Sequence, residues 1–375
     1  MALQNRSVYH LPLWETVKIV KISSLPIALL FLVLTVLISA PGSSDAVEQE
    51  NEEFEMKEQS VAYLTVRNET GNLDPEDWYG DERDSMHAGQ CTFSLASLSL
   101  LKPLSRNGWI YIPENLKQLE SVTEVNESLF WPEFKLNAQG KRPLLYVHGY
   151  NTSFAKACDQ AALFQANFEL DKRLILFSWP SDGSMINYTR DEADVYWSVL
   201  PLVGLLTRMV EEFGAGGFDV VAHSLGTRVL FLALVQAARK HQEVIPLLNQ
   251  LVLTGADIDV GVFKQYLDLI LPLAGNITVY ASDNDRPLAI SQEFHGYPRV
   301  GQSGAHLDDI KGIDVIDITD VGVSSFSGHL YHLYHDSVRQ DLDLLLSDGL
   351  RADQRETLAA GVYGHWRLKQ EEIAK

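Results

Sequence analysis

The chain has 375 residues, of which 46% are hydrophobic and 21% charged. That composition buries a sizeable core and excludes whole-chain disorder and collagen-like repetition, and the length accommodates one large domain or two small ones at roughly 150 residues each. A formal net charge of −20 argues against nucleic acid as a partner, because phosphate binding needs a basic face.

The chain opens with an address. Between Ile27 and Ala40 the run IALLFLVLTVLISA carries no charge, and Arg6, Lys18 and Lys21 precede it. It is shorter than the ~20 residues of a spanning helix and matches a signal-peptide core of roughly 7–15. Ser44 and Ala46 are small enough for cleavage after Ala46, whereas the long leading region suits an uncleaved anchor. Residues 1–46 are therefore expected to be a signal peptide or an N-terminal membrane anchor, and 47–60 an acidic linker. The rest should be exported: periplasmic, or attached to the membrane through the apolar segment and facing away from the cytoplasm.

From 61 to 140 the stretches VAYLTV, CTFSLASLSLL and GWIYIP suggest short strands in a β-rich lead-in without chemistry. The pattern changes at Pro143. Five apolar runs recur, LLYVH (144–148), LILFS (174–178), DVVAH (219–223), LVLTG (251–255) and ITVYA (277–281). Strands buried on both faces and separated by helices indicate an α/β fold with a mostly parallel sheet and helices on both faces. Phe154, Ala157, Ala161, Phe164 and Phe168 form one helical stripe, and Tyr196, Val199, Leu200, Val203, Leu206 and Val210 a second, in a helix that Pro201 should bend. The segment GTRVLFLALVQAARK after Ser224 is apolar nearly all round, as a helix packed on a sheet should be. The main domain is expected over 61–367 with a tail over 368–375. The two cysteines, Cys91 and Cys158, are too few for a disulfide framework or a four-ligand zinc site. Free cysteine is commonly buried, so two buried thiols is the favoured reading, with one bridge as the alternative in an oxidising compartment.

In such sheets ligands bind beyond the carboxyl ends of the strands. After the third run comes Ala222-His223-Ser224-Leu225-Gly226, a nucleophile-elbow pattern with Ala in the first glycine position. The tight strand-to-helix turn needs small residues two before and two after the serine, and it sets the hydroxyl at a helix N-terminus. The alternative is a small-residue turn with no chemistry. A base should follow in a late loop. His295, His306, His329, His332, His335 and His365 are the late histidines, and the Gly/Ser-rich SSFSGH segment favours His329, with His332 and His335 as partly exposed helix residues. A metal cluster of that trio is the weaker reading. The orienting acid is Asp285 or Asp283 from the loop after ITVYA, or Asp257 from the earlier loop, where Asp257 and Asp259 could instead cap a helix. The backbone N–H groups of Leu225 and of Tyr150, which follows Gly149, are the candidate oxyanion hole.

VHGYNTSF (147–154), FSWPSDG (177–183), VAHSLGTRVL (221–230), GADID (255–259), YASDNDRPL (280–288) and SGHLYH (327–332) together resemble a bacterial α/β-hydrolase family long catalogued as a domain of unknown function (DUF900-like) and described as esterase/lipase-like. The resemblance extends over roughly 79–367. It implies an α/β-hydrolase fold with Ser224 as nucleophile, Asp285 as acid and His329 as base, and it selects Asp285 over Asp283. Departures at Leu330 and Tyr331 bear on pocket shape. The expected activity is serine hydrolysis of a small-molecule or lipid-like carboxylic ester or thioester. The alternatives are an amidase or peptidase with the same triad, or a non-catalytic binding module at the cell envelope. No cofactor or metal site is expected, and there is no Gly-rich phosphate loop.

Overall fold

A computed structural model describes residues 56–97, 115–170, 173–184, 187–240, 246–321, 328–361 and 364–369. The expected signal or anchor segment and the GWIYIP stretch lie outside the described residues.

The strands are β1 (Met56–Glu69), β2 (Tyr79–Ser97), β3 (Asn115–Glu124), β4 (Leu144–Val147), β5 (Leu174–Ser178), β6 (Asp219–His223), β7 (Leu248–Thr254), β8 (Ala274–Ala281), β9 (Asp314–Asp317), β10 (Leu358–Ala360) and β11 (Trp366–Leu368). The described residues form one 11-stranded sheet in the order β10-β11-β9-β8-β7-β6-β4-β5-β1-β2-β3. From β11 through to β1 neighbours run parallel, while β2, β3 and β10 run antiparallel to their neighbours.

The helices are α1 (Glu127–Ala138), α2 (Phe154–Asn167), α3 (Tyr188–Phe213), α4 (Leu225–Lys240), α5 (Val260–Ile270), α6 (Arg286–His295), the one-turn α7 (Tyr331–Tyr334) and α8 (Asp336–Leu346). Successive strand residues point to opposite faces, and each face is covered. Leu145, Val147, Val220, Ala222, Leu251 and Leu253 pack with residues of α1, α3, α4 and α5. Leu144, Tyr146, Val221, Val252 and Tyr280 pack with residues of α2, α7 and α8. This is why the central strands read as unbroken apolar runs.

Four expectations need correction. The lead-in is not a set of short strands, because β1 and β2 have 14 and 19 residues and extend the main sheet. Strand β1 already begins at Met56, inside the expected linker. The stripe on α3 is rotated: Tyr196 and Leu200 are exposed, whereas Asp191, Asp194 and Ser198 are buried beside Leu202 and Leu206. Polar partners make that burial tolerable. Ser181 donates to Asp191 at 2.5 Å, Arg83 donates to Asp194 at 2.5 Å, and the Ser198 hydroxyl donates to the Asp194 carbonyl. Pro201 lies inside this helix. Finally, Cys91 on β2 and Cys158 on α2 form a disulfide rather than two free thiols.

Candidate functional site

The site assembles where β4, β6, β7 and β8 end. Ser224 sits between β6 and α4 with φ at 52°, the left-handed region that a non-glycine residue enters only when its surroundings impose it. Those surroundings are visible. The Ser224 N–H donates to the Thr254 carbonyl, and the Ser224 carbonyl accepts from the backbone N–H of Thr227 and Asp257 and from the Thr227 hydroxyl. Gly226 is required by sterics, since a Cβ there would lie 2.1 Å from the His148 carbonyl oxygen. Gly149 is equally constrained: its Cβ would meet both Ser224 Cβ and His223 Nδ1 at 2.7 Å. The turn carrying Tyr150 is thus held against the elbow, and Leu225 opens α4 at its first turn, where helix N–H groups lack intrahelical acceptors. The Tyr150 ring packs edge-on against Tyr188, and its hydroxyl donates to the Ser184 carbonyl at 3.1 Å.

The structure brings Asp285 and His329 together. The imidazole Nδ1–H donates to Asp285 Oδ2 at 2.7 Å, and both residues are buried. Asp285 is also the N-cap of α6, its Oδ1 accepting from the Leu288 N–H at 3.1 Å, so one carboxylate oxygen serves the helix and the other the histidine. Gly255 makes room for the pair, because its Cβ would crowd His329 Cε1 at 3.0 Å and Asp285 Oδ2 at 3.4 Å. Burial pulls the His329 pKa down, but the Asp285 carboxylate outweighs it, with a smaller push from Asp257, and the net shift is upward. An imidazolium formed here is therefore stabilised.

The competing acids are engaged elsewhere. Asp257 accepts from the Tyr188 hydroxyl and the Ser291 hydroxyl, both at 2.7 Å, and pairs with Arg228 and Arg299 at 3.3 and 3.2 Å. Burial raises its pKa, but Arg228, Ser291 and Arg299 more than offset this and hold it below the usual carboxylate range. It caps no helix; Asp259 alone does so, accepting from the Val262 N–H. Asp283 is exposed, and its N–H donates to the Thr319 hydroxyl.

The histidines next to the site bring a further correction. His332 is fully buried rather than partly exposed, with Nε2 3.1 Å from the Tyr146 hydroxyl. The His223 ring lies 4.5 Å from the rings of both His329 and His332, and its Nε2–H donates to the His329 carbonyl at 3.2 Å. Burial lowers the pKa of His332 to about 3 and that of His223 well below its ordinary value, so both stay neutral. His332 keeps its Tyr146 partner, His335 donates to the Val321 carbonyl and His329 faces Asp285. The trio therefore does not converge on a metal.

Sequence reasoning missed two supports. The Tyr331 hydroxyl donates to the Tyr280 carbonyl and accepts from the Gly255 N–H, joining the ends of β7 and β8 beneath His329. Arg67 on β1 is buried and donates to the carbonyls of Thr152, Ser181 and Gly80 and to the Ser178 hydroxyl. Burial lowers its pKa to about 9 despite Asp191 and Asp81. A lone arginine in an alternating strand gives no sequence signal for this.

Residues 127–346 match the family described as alpha/beta hydrolase of unknown function (DUF900). No curated protein matches the chain. Among solved structures it is similar to a novel cold-adapted esterase from an Arctic intertidal metagenomic library. In its zinc-bound form that esterase shares 10% identity over 77% of this chain and 94% of that one, with a TM-score of 0.35. The polyethylene-glycol-bound complex gives 10% identity over 71% and 97%, with a TM-score of 0.34. A gene product of Listeria innocua is similar over 60% of this chain and 98% of that one, with 14% identity and a TM-score of 0.27. The family match is narrower than the expected 79–367, leaving β1 to β3 and the β10–β11 hairpin outside it. It still spans more than half of the sequence, and the chain belongs to the DUF900 family of α/β-hydrolases.

Proposed function

We propose that this protein is a serine hydrolase cleaving a small-molecule or lipid-like carboxylic ester or thioester through Ser224, His329 and Asp285. The observation that carries the reading is the 2.7 Å bond between His329 Nδ1 and Asp285 Oδ2, beside a serine held at φ 52° between strand and helix. Asp285 keeps the proton on Nδ1, which leaves Nε2 to take the Ser224 proton as the hydroxyl oxygen attacks the acyl carbon. The N–H groups of Leu225 and Tyr150 receive the oxyanion. Nε2 then returns the proton to the leaving alcohol or thiol, and water repeats the sequence to free the acid and Ser224. Hydrolysis of an ester or thioester fits the α/β-hydrolase family to which the chain belongs.

The enzyme would act outside the cytoplasm, free or membrane-attached. The apolar Ile27–Ala40 run and the Cys91–Cys158 disulfide both support this, since such bonds persist in oxidising compartments. A fluorophosphonate probe should label the wild type and leave Ser224→Ala unlabelled, and p-nitrophenyl esters of graded chain length should define the acyl preference. A folded wild type that neither labels nor turns over any ester would refute the reading in favour of a binding module.

A further inference from the structure

We propose that Glu69, His87 and Glu124 form a binding site for a transition-metal divalent cation of the zinc class, on the strands that precede the hydrolase core. Each ligand comes from a different strand. Glu69 ends β1, His87 lies within β2 and Glu124 ends β3. One ligand atom from each lies within 4.8 Å of the other two. His87 Nδ1 is 2.9 Å from Glu124 Oε1 and 3.9 Å from Glu69 Oε1. Tetrahedral zinc with bonds of about 2.0–2.2 Å holds neighbouring ligand atoms about 3.3 Å apart, so the 2.9 and 3.9 Å imidazole–carboxylate separations need change by only about half an ångström each.

Three further features fit a cation. The carboxyls of Glu69 and Glu124 each place an oxygen within 4.8 Å of the other, and the ion pairs both make run to the same imidazole. His87 Nε2 is buried without a hydrogen-bond partner and points toward Asp84 Oδ2 at 3.7 Å. A shift of a few tenths of an ångström would let Nε2–H donate to Asp84 Oδ2, the outer-carboxylate contact that orients a metal-bound imidazole. The Tyr79 ring packs on His87 at 5.6 Å and limits its rotation. One imidazole with two carboxylates selects the zinc class over calcium or magnesium, which prefer all-oxygen shells. The Glu69 and Glu124 side chains are 50% and 38% exposed, which gives an ion a path from solvent and room for a water ligand. No short sequence motif announces the site, because long stretches of chain separate the three ligands. Its effect would be to cross-link β1, β2 and β3.

The test uses the full-length chain, stripped with a chelator and titrated with zinc chloride by calorimetry, with thermal melts in parallel. One equivalent of zinc should bind and raise the melting temperature, while calcium at the same concentration should not. Asp84→Asn should weaken binding by about 10–100-fold, as outer-shell changes do. The Glu69→Gln/Glu124→Gln double variant removes the like-charge contact, so it should fold while losing the zinc response. The proposal is overturned if the wild type takes up no zinc, or if the folded double variant binds it as tightly as the wild type.

Discussion

Replacing Asp285 with asparagine separates the chemistry of the site from its architecture, because the two carboxylate oxygens have different duties. Oδ1 accepts from the Leu288 N–H at the start of α6, and Oδ2 accepts from His329 Nδ1. Asparagine is as good an N-cap as aspartate, but it has only one acceptor oxygen. The cap claims that oxygen and turns the amide NH2 toward Nδ1. The imidazole must then accept at Nδ1 and carry its proton on Nε2, where it cannot take the Ser224 proton. Turnover should fall at least about a hundredfold, a barrier increase of roughly 2.7 kcal/mol; the corresponding change in a serine protease costs ~10⁴. Stability should change by less than about 1 kcal/mol, because the cap survives. Asp257→Asn should behave in the opposite sense. It weakens the pairing of the buried Arg299 and the half-buried Arg228, at a cost of about 3 kcal/mol in stability, with a smaller loss of rate. Turnover of one activated ester and thermal melts on both variants decide the matter. A folded, active Asp285→Asn beside an inactive Asp257→Asn would refute the assignment of the acid.

Acid should destabilise the fold before most carboxylates titrate. His148 and His332 have their pKa values lowered to about 3 by burial, with Arg67 and His329 respectively adding to it, and His223 is also lowered well below its ordinary value. They bind protons only when unfolded, so their stabilising contribution is present above about pH 6.5 and is lost as pH falls toward the folded values. His329 has the opposite sign: its raised pKa adds stability below about pH 6.5 that disappears as pH rises through its folded value. Chemical denaturation between pH 6 and 5 should therefore show uptake of two to three protons, roughly 3–4 kcal/mol per pH unit, and a flat profile would contradict the burial of these rings. His332→Ala should cost about 2–4 kcal/mol in stability, because it empties a core position and leaves the Tyr146 hydroxyl without its partner; an unchanged melt would place the ring at the surface. Reducing the Cys91–Cys158 bond opens a loop of sequence separation 67 and should lower stability by up to roughly 4 kcal/mol, read by melts with and without reductant beside a thiol titration. Arg67→Ala should cost about 3–5 kcal/mol, since it leaves buried acceptors and nearby carboxylates uncompensated, and a melt within 1 kcal/mol of wild type would exclude its anchoring role.

The legible part of the site is the part where geometry acts through backbone and residue size. A left-handed serine between strand and helix demands a small neighbour two residues on, so AHSLG betrays Ser224. Strands covered on both faces must be apolar throughout, so the five runs mark β4 to β8. What escaped depends on partners distant in sequence. Whether His332 is buried cannot be read from its helix, because the decisive neighbour is Tyr146, 186 residues away. The α3 stripe departs from its helical pattern for the same reason. Asp191 and Asp194 look like solvent residues until Ser181 and Arg83 are seen to meet them.

Arg67 shows why the lead-in strands belong to the hydrolase rather than decorating it. Strand β1 runs parallel to β5, pairing Thr65 with Ser178, so its C-terminal end emerges at the same edge of the sheet as the ends of β4 and β6. From there the guanidinium reaches the Thr152 carbonyl, two residues beyond Tyr150, and the Ser181 carbonyl in the loop after β5. His148 completes the brace, donating from Nδ1 to the Gly149 carbonyl and accepting from the Trp179 N–H at Nε2. That pairing requires a neutral ring, which burial, reinforced by the Arg67 charge, enforces. The turn that sets Gly149 against Ser224 is thus held from β1, a strand outside the family match over 127–346. The proposed catalytic unit would consequently include β1, and a fragment starting at residue 127 would lose the side chain that fixes one wall of the candidate site.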